Sequence, residues 1–135
     1  MASWSGWLAA LFIVVAASVP VLYRLREGKR AALGTPPLRA HVLLGLATSI
    51  ATFVHTGLVL PELGSEAAVG AGGYAFAAGA VAFLVMIAHG GLGLGLRDPK
   101  RKDRARQRRR HATTAAILAA IVIAHVVLLM HARMR

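Results

Sequence analysis

Two pairs of histidines with the same spacing are the residues of this chain best suited to chemistry. His41 and His55 lie 14 residues apart in one apolar segment, and His111 and His125 lie 14 residues apart in another. Fourteen residues fall roughly 40° short of whole helical turns, so each pair occupies one helix face, with its imidazoles about 21 Å apart along the axis. Histidines inside a membrane are costly and usually face the interior of a bundle. The pattern predicts two stacked metal centres, each held between two helices, with bis-histidine haem as the leading candidate.

The composition indicates an integral membrane protein with a single domain. The chain has 135 residues, of which 57% are hydrophobic, a mean hydropathy of +0.63 and a formal net charge of +11. Since the charges fall between long apolar runs, and about 20 apolar residues span a bilayer, we predict an all-α four-helix membrane bundle. The predicted helices cover residues 4–23, 38–60, 71–96 and 111–132. The absence of cysteine excludes covalent c-type haem attachment, so two b-type haems held without covalent bonds are expected.

The basic residues predict the orientation of the chain. Residues 97–110 carry nine Lys or Arg against two Asp, whereas the connection between helices two and three carries only the acidic Glu62 and Glu66. The positive-inside rule therefore places the basic connections in the cytoplasm and both termini outside, in the cell inner (cytoplasmic) membrane. We interpret the basic loop as a topology signal that contacts anionic membrane lipids, and we expect no nucleic-acid partner.

The direction of the helices predicts which histidines pair. Helices two and four run the same way because one helix lies between them, so equivalent histidines share a depth. We expect His41 to pair with His111 near the cytoplasmic face and His55 to pair with His125 near the outer face. Two histidines for each centre leave a tetrahedral zinc ion short of ligands. Structural histidines with ordinary hydrogen bonds remain the alternative to metal ligation.

Further residues are expected to accommodate a porphyrin. Gly45 and other small residues on the histidine face of helix two leave room beside its ring. Arg39 and Arg110 are expected to bind propionates at the inner centre, and Arg133 at the outer centre. His89 is expected at a depth between the two haems, where it is a candidate for contact with a porphyrin edge or a quinone, for proton relay, or for a hydrogen bond to backbone or threonine.

Local sequence resembles the haem-binding, four-helix half of cytochrome b from the quinol–cytochrome c reductases. Arg39-Ala-His41 with Gly45, and then His55-Thr-Gly57, is similar to the second helix of that family, where an arginine precedes the first ligand and a glycine follows each one. The segment from His125 to His131 is similar to its fourth helix, in which another histidine follows the second ligand. The resemblance covers helices two to four and implies that His41, His55, His111 and His125 are the axial ligands of two b haems.

The chain departs from that family in two respects. The quinol-site motif Pro-Glu-Trp-Tyr is absent, because Pro61 and Glu62 are followed by Leu63 and Gly64. The inferred orientation is also opposite to that of the family. The chain therefore looks more like a small bacterial di-haem membrane cytochrome of the same general design.

Three functional hypotheses follow from these patterns. The first is a di-haem cytochrome that carries electrons across the membrane, as the membrane subunit of a respiratory redox complex that exchanges electrons with quinone or a protein partner. Bis-histidine iron has no open coordination position, and the chain has no room for a flavin or nicotinamide domain. The second is a stand-alone enzyme, a quinone-coupled oxidase of superoxide or another small species. The third is haem-free, either a membrane anchor or a proton-coupled transporter.

Overall fold

Four long helices make up the described part of the protein. The computed structural model describes residues 3–66, 69 and 73–133. The helices are α1 (Ser3–Glu27), α2 (Pro36–Val59), α3 (Gly73–Gly95) and α4 (Arg104–Arg133), and a 3-10 turn at Leu60–Glu62 follows α2. Within these residues all four helices are long and apolar enough to cross a membrane. The protein thus has the all-α architecture of a multi-pass membrane protein, as the sequence predicted.

Local signals set the ends of the first two helices. α1 ends at Glu27 because Gly28 adopts a φ of +64°, which suits glycine, and its N–H donates to the Arg24 carbonyl at 3.0 Å. Thr35 occupies the N-cap position of α2, and two prolines follow it in the first turn. The Thr35 hydroxyl donates to the Ala32 carbonyl at 2.8 Å and does not cap the helix. The predicted start of the third helix at residue 71 lies outside the described residues.

The fourth helix begins at Arg104, seven residues before the predicted start at His111. A hydropathy criterion detects only the apolar part of a helix, whereas arginine, alanine and glutamine also favour helical structure. Gln107 is buried, and its side-chain amide donates to the Leu92 carbonyl at 3.2 Å, which fixes this polar extension against α3. As a result His111 lies two turns inside α4 and not at its first residue.

Two closely packed helix hairpins form the bundle. α1 packs along α2, and α3 packs along α4, whereas the contacts of α2 with α3 and of α1 with α4 are much less extensive. Consecutive helices are therefore neighbours around the bundle, and α2 and α4 stand diagonally opposite each other. These are the two helices that carry the paired histidines.

The interior contains few large side chains. The buried hydrophobic residues in the described part of the chain are Ala9, Ala16, Ala75, Ala82, Met86 and Leu118. Ala82, Met86 and Leu118 form one cluster halfway along α3 and α4. Large apolar side chains face outward instead, including Trp4 and Trp7 at the start of α1, which are 63% and 58% exposed. Such an outer surface matches a lipid environment, with tryptophans at one interface.

Candidate metal centres

The inner pair of histidines meets across the diagonal of the bundle. The ring centroids of His41 on α2 and His111 on α4 lie 6.1 Å apart, with their planes at 80° to each other. Two imidazoles that bind one metal ion from opposite sides, through bonds of about 2 Å, hold their centroids roughly 6 Å apart. The inner pair therefore has a separation suited to one shared metal ion.

The outer pair faces the same interior. His55 on α2 and His125 on α4 are both partly buried, on the same two helices that carry the inner pair. The side chain of His55 is held from α1, where its Nδ1 lies 3.0 Å from the hydroxyl of Ser5, a residue only 2% exposed. The side chain of His125 is held from α3, where its Nδ1 donates to the Ala75 carbonyl at 2.7 Å. Each histidine is thus oriented by the helix that precedes its own.

Hydrogen bonds to backbone carbonyls identify the protonated nitrogen in three of the four imidazoles. His41 Nδ1 donates to the Ala16 carbonyl at 2.8 Å, and His111 Nδ1 donates to the His89 carbonyl at 3.2 Å, just as His125 does to Ala75. A carbonyl oxygen only accepts hydrogen bonds, so Nδ1 carries the proton and Nε2 of a neutral ring keeps its lone pair. A metal-binding histidine usually has this arrangement, because its second nitrogen donates to a carbonyl or carboxylate that fixes the ring.

Pro20 explains why the Ala16 carbonyl is available to His41. In an α-helix the N–H of residue 20 would donate to the carbonyl of residue 16, but proline has no N–H. Pro20 lies inside α1, and Ala16 is buried at the contact with α2. The proline therefore removes the usual helical donor to this carbonyl, and the His41 side chain donates in its place.

Glycines let three of the rings approach the neighbouring helix. A Cβ built on Gly79 would lie 2.9 Å from His125, one on Gly93 would lie 3.1 Å from His111, and one on Gly6 would lie 3.0 Å from His55. Real Cβ atoms rarely approach other atoms this closely, so a side chain at these positions would displace the ring. Gly79 and Gly93 are 14 residues apart, as are the two histidines that they face.

His89 belongs to the inner level and not to the space between the two levels. Its ring stacks on His111, with centroids 3.9 Å apart and planes at 12°. Its Nδ1 lies 2.9 Å from the Thr114 hydroxyl, which itself donates to the His111 carbonyl at 3.0 Å. The expected depth of His89 was wrong because α4 starts earlier than predicted, which places His111 deeper in the bundle. The threonine hydrogen bond was one of the alternatives that the sequence left open.

The remaining predicted residues surround these rings less closely. Arg39 and Arg110 are exposed, two residues and one residue before His41 and His111. A Cβ on Gly45 would meet nothing within 4 Å, which leaves open space beside α2. The side chain of Arg133 lies outside the described residues.

A layer of side chains separates the two levels of histidines. Thr48 on α2 is buried and donates its hydroxyl to the Leu44 carbonyl at 2.8 Å, so its polar group is satisfied within the helix. The neighbouring Ser49 donates to the Gly45 carbonyl at 3.0 Å and lies 3.6 Å from the Met86 sulfur on α3. With Leu118 these residues form a middle layer whose hydroxyl groups bond within α2, and this layer separates the two levels of histidines.

Two imidazoles at each level would suit the two axial positions of a bis-histidine haem. Among the residues that the structure describes, no group of three or more His, Cys, Asp or Glu side chains is arranged to hold a metal ion. Each level offers two imidazoles from opposite helices, and in haem the porphyrin supplies the other four ligands. Comparison of the chain with models of protein families, with curated proteins and with solved structures finds no match.

Proposed function

We propose that this protein is a di-haem b-type cytochrome that carries electrons across the membrane. The single observation that supports it most is the inner pair, in which imidazoles from diagonal helices stand 6.1 Å apart while carbonyls hold both Nδ1 atoms. Because His55 and His125 lie about 21 Å farther along the same two helices, the protein offers two candidate ligands near each face of a bilayer.

The residues of the chain have distinct tasks in this proposal. His41 and His111 would bind the inner haem, and His55 and His125 the outer haem, whose irons supply reversible one-electron chemistry when bound. Exposed Arg39 and Arg110 would face the propionates of the inner haem from the membrane surface. The middle layer around Thr48, Met86 and Leu118 would separate the two haems.

The charge pattern supports an orientation with both basic connections in the cytoplasm of the cell and both termini outside. Because histidines would occupy both axial positions of each haem, the electrons would pass to and from quinone or another redox subunit. We therefore propose that the protein serves as the membrane subunit of a redox complex.

Purified protein tests the proposal directly. We expect a reduced-minus-oxidised absorption spectrum of b type and two haems per chain. Alanine at either His41 or His111 should leave one haem, the outer one, and alanine at either His55 or His125 should leave the inner one.

The exposed His131 provides the matched control, and His131→Ala should keep both haems. Colourless wild-type protein would favour the haem-free anchor or transporter. Retention of two haems in all four ligand variants would contradict the assigned pairs.

A further inference from the structure

We infer that His89 is a positioning residue of the inner centre that fixes the plane of the His111 imidazole through its ring and its carbonyl together. The inference rests on the proposed function, because it concerns the geometry of an axial ligand. It assigns a role to a third imidazole at the inner level that the electron-transfer proposal does not itself require.

The contacts of His89 hold the His111 ring from two sides. The His89 carbonyl accepts the Nδ1 proton of His111 at 3.2 Å, which fixes one edge of that ring. The His89 ring lies against the face of His111, with 3.9 Å between the centroids and 12° between the planes. The hydrogen bond holds one edge of the ring, and the stacking contact on its face restricts the remaining rotation of the ring plane.

Thr114 fixes the orientation of His89 in turn. Its hydroxyl donates to the His111 carbonyl at 3.0 Å, so at 2.9 Å from His89 it accepts the Nδ1 proton of that ring. Thr114 lies three residues beyond His111 on α4, where the next helical turn begins. His89 is therefore held between His111 and Thr114, two residues of the same helix.

The outer centre provides an internal comparison without this contact. The carbonyl that orients His125 belongs to Ala75. Ala75 lies 14 residues before His89, and His125 lies 14 residues after His111, so Ala75 is the outer equivalent of His89. Alanine has no ring to stack on the ligand. At the outer centre the residue equivalent to Thr114 is Leu128, which lies 14 residues later and has no hydroxyl. At the outer centre His125 therefore has the carbonyl contact but no stacked ring.

The consequence concerns the angle between the two ligand planes at the inner centre. The rings of His41 and His111 stand at 80°, which is close to perpendicular. In low-spin ferric haem the angle between axial imidazole planes controls the splitting of the iron d orbitals, and perpendicular planes give a strongly anisotropic electron paramagnetic resonance signal. If His89 holds His111 in place, the inner haem should show a sharp signal of this kind.

The test is the ferric resonance spectrum of full-length protein carrying His89→Ala. This substitution gives the inner centre the side chain that the outer centre has at Ala75. We expect two haems per chain, an inner signal that broadens and moves toward lower anisotropy, and an unchanged outer signal. The signals are assigned with His125→Ala, which should carry the inner haem alone.

Two further variants separate stacking from hydrogen bonding. His89→Phe keeps a ring against His111 and should retain most of the wild-type signal, while Thr114→Val removes the acceptor of His89 and should broaden the signal less than His89→Ala does. Ser49→Ala, which removes a hydroxyl in the middle layer, should change neither signal.

An inner signal that stays the same in His89→Ala and Thr114→Val, with both haems bound, would overturn the inference. Loss of the inner haem in His89→Ala together with an unaltered signal in Thr114→Val would also overturn it. Wild-type protein without haem would instead refute the proposed function.

Discussion

At the scale of single residues, the candidate centres depend on contacts that fix the orientation of the imidazole rings. Carbonyls at Ala16, Ala75 and His89 bind Nδ1 protons, and glycines allow the rings to come close enough to reach them. An exposed imidazole could present either nitrogen to a metal. Here three of the four rings present Nε2, because Nδ1 is already engaged.

The contact of Gly79 with His125 gives a prediction at this scale. Gly79→Ala places a Cβ 2.9 Å from the ring, so His125 must move away from the Ala75 carbonyl. Overpacking of this kind costs about 1–3 kcal/mol, which corresponds to roughly 5- to 150-fold weaker retention of the outer haem. The haem content after dilution in detergent measures the effect. Gly57→Ala is the control, because nothing lies within 4 Å of a Cβ at Gly57; equal loss in both variants would contradict the argument.

At the scale of helices, hairpin packing explains how the ligand helices are oriented. α1 supplies the groups that contact the histidines of α2, and α3 supplies those that contact the histidines of α4. Pro20 in α1 contributes to this orientation, because it leaves the Ala16 carbonyl without its usual helical donor. A proline inside a helix usually costs about 3 kcal/mol relative to alanine, and the hydrogen bond from His41 to the Ala16 carbonyl recovers part of that cost.

Pro20→Ala should therefore alter the inner centre without weakening the helix. In the proposed inner haem site, the restored N–H would compete with His41 for the Ala16 carbonyl and make this imidazole less basic, which would favour ferrous iron. We expect the inner midpoint potential to rise by about 20–40 mV, which corresponds to roughly 0.5–1 kcal/mol of hydrogen bonding. Potentiometric titration of the two haems measures this shift. An inner potential equal to that of the wild type would speak against a role for the proline, and the outer potential serves as the reference.

The helices were largely predictable from the sequence, but the contacts around the histidines were not. Long apolar runs predicted four spans, whereas the polar start of α4 at Arg104 escaped a criterion based on hydropathy. Gly79 and Gly93 are two of the six glycines in α3, and only their 14-residue separation could have distinguished them. The stacking of His89 depends on the register between α3 and α4, which no local pattern specifies.

At the scale of the whole molecule, charge divides the two ends of the bundle. Both basic connections lie at the end that holds His41 and His111, since the helices alternate in direction. In the second of these, Arg101 pairs with Asp103 at 2.7 Å, and this contact lowers the pKa of the Asp103 carboxyl. One ion pair among so many cations leaves the loop strongly positive.

The absence of cysteine makes the proposed orientation simple to test. Two single-cysteine variants are suitable: Gly64→Cys, in the connection between α2 and α3, and Lys102→Cys, in the basic connection between α3 and α4. In intact cells, a maleimide that does not cross membranes should modify Gly64→Cys and leave Lys102→Cys unmodified until the membrane is opened. The reverse pattern would invert the orientation and exchange the inner and outer centres.

The limited contact between the hairpins has a consequence for biosynthesis. Each hairpin can form as soon as its two spans have entered the bilayer, but every haem would need one imidazole from each hairpin. Iron porphyrin would therefore act as a crosslink between halves that associate weakly on their own, and its supply would govern how much of the chain matures. Cells starved of haem should accumulate a loosely joined precursor that membrane proteases degrade first.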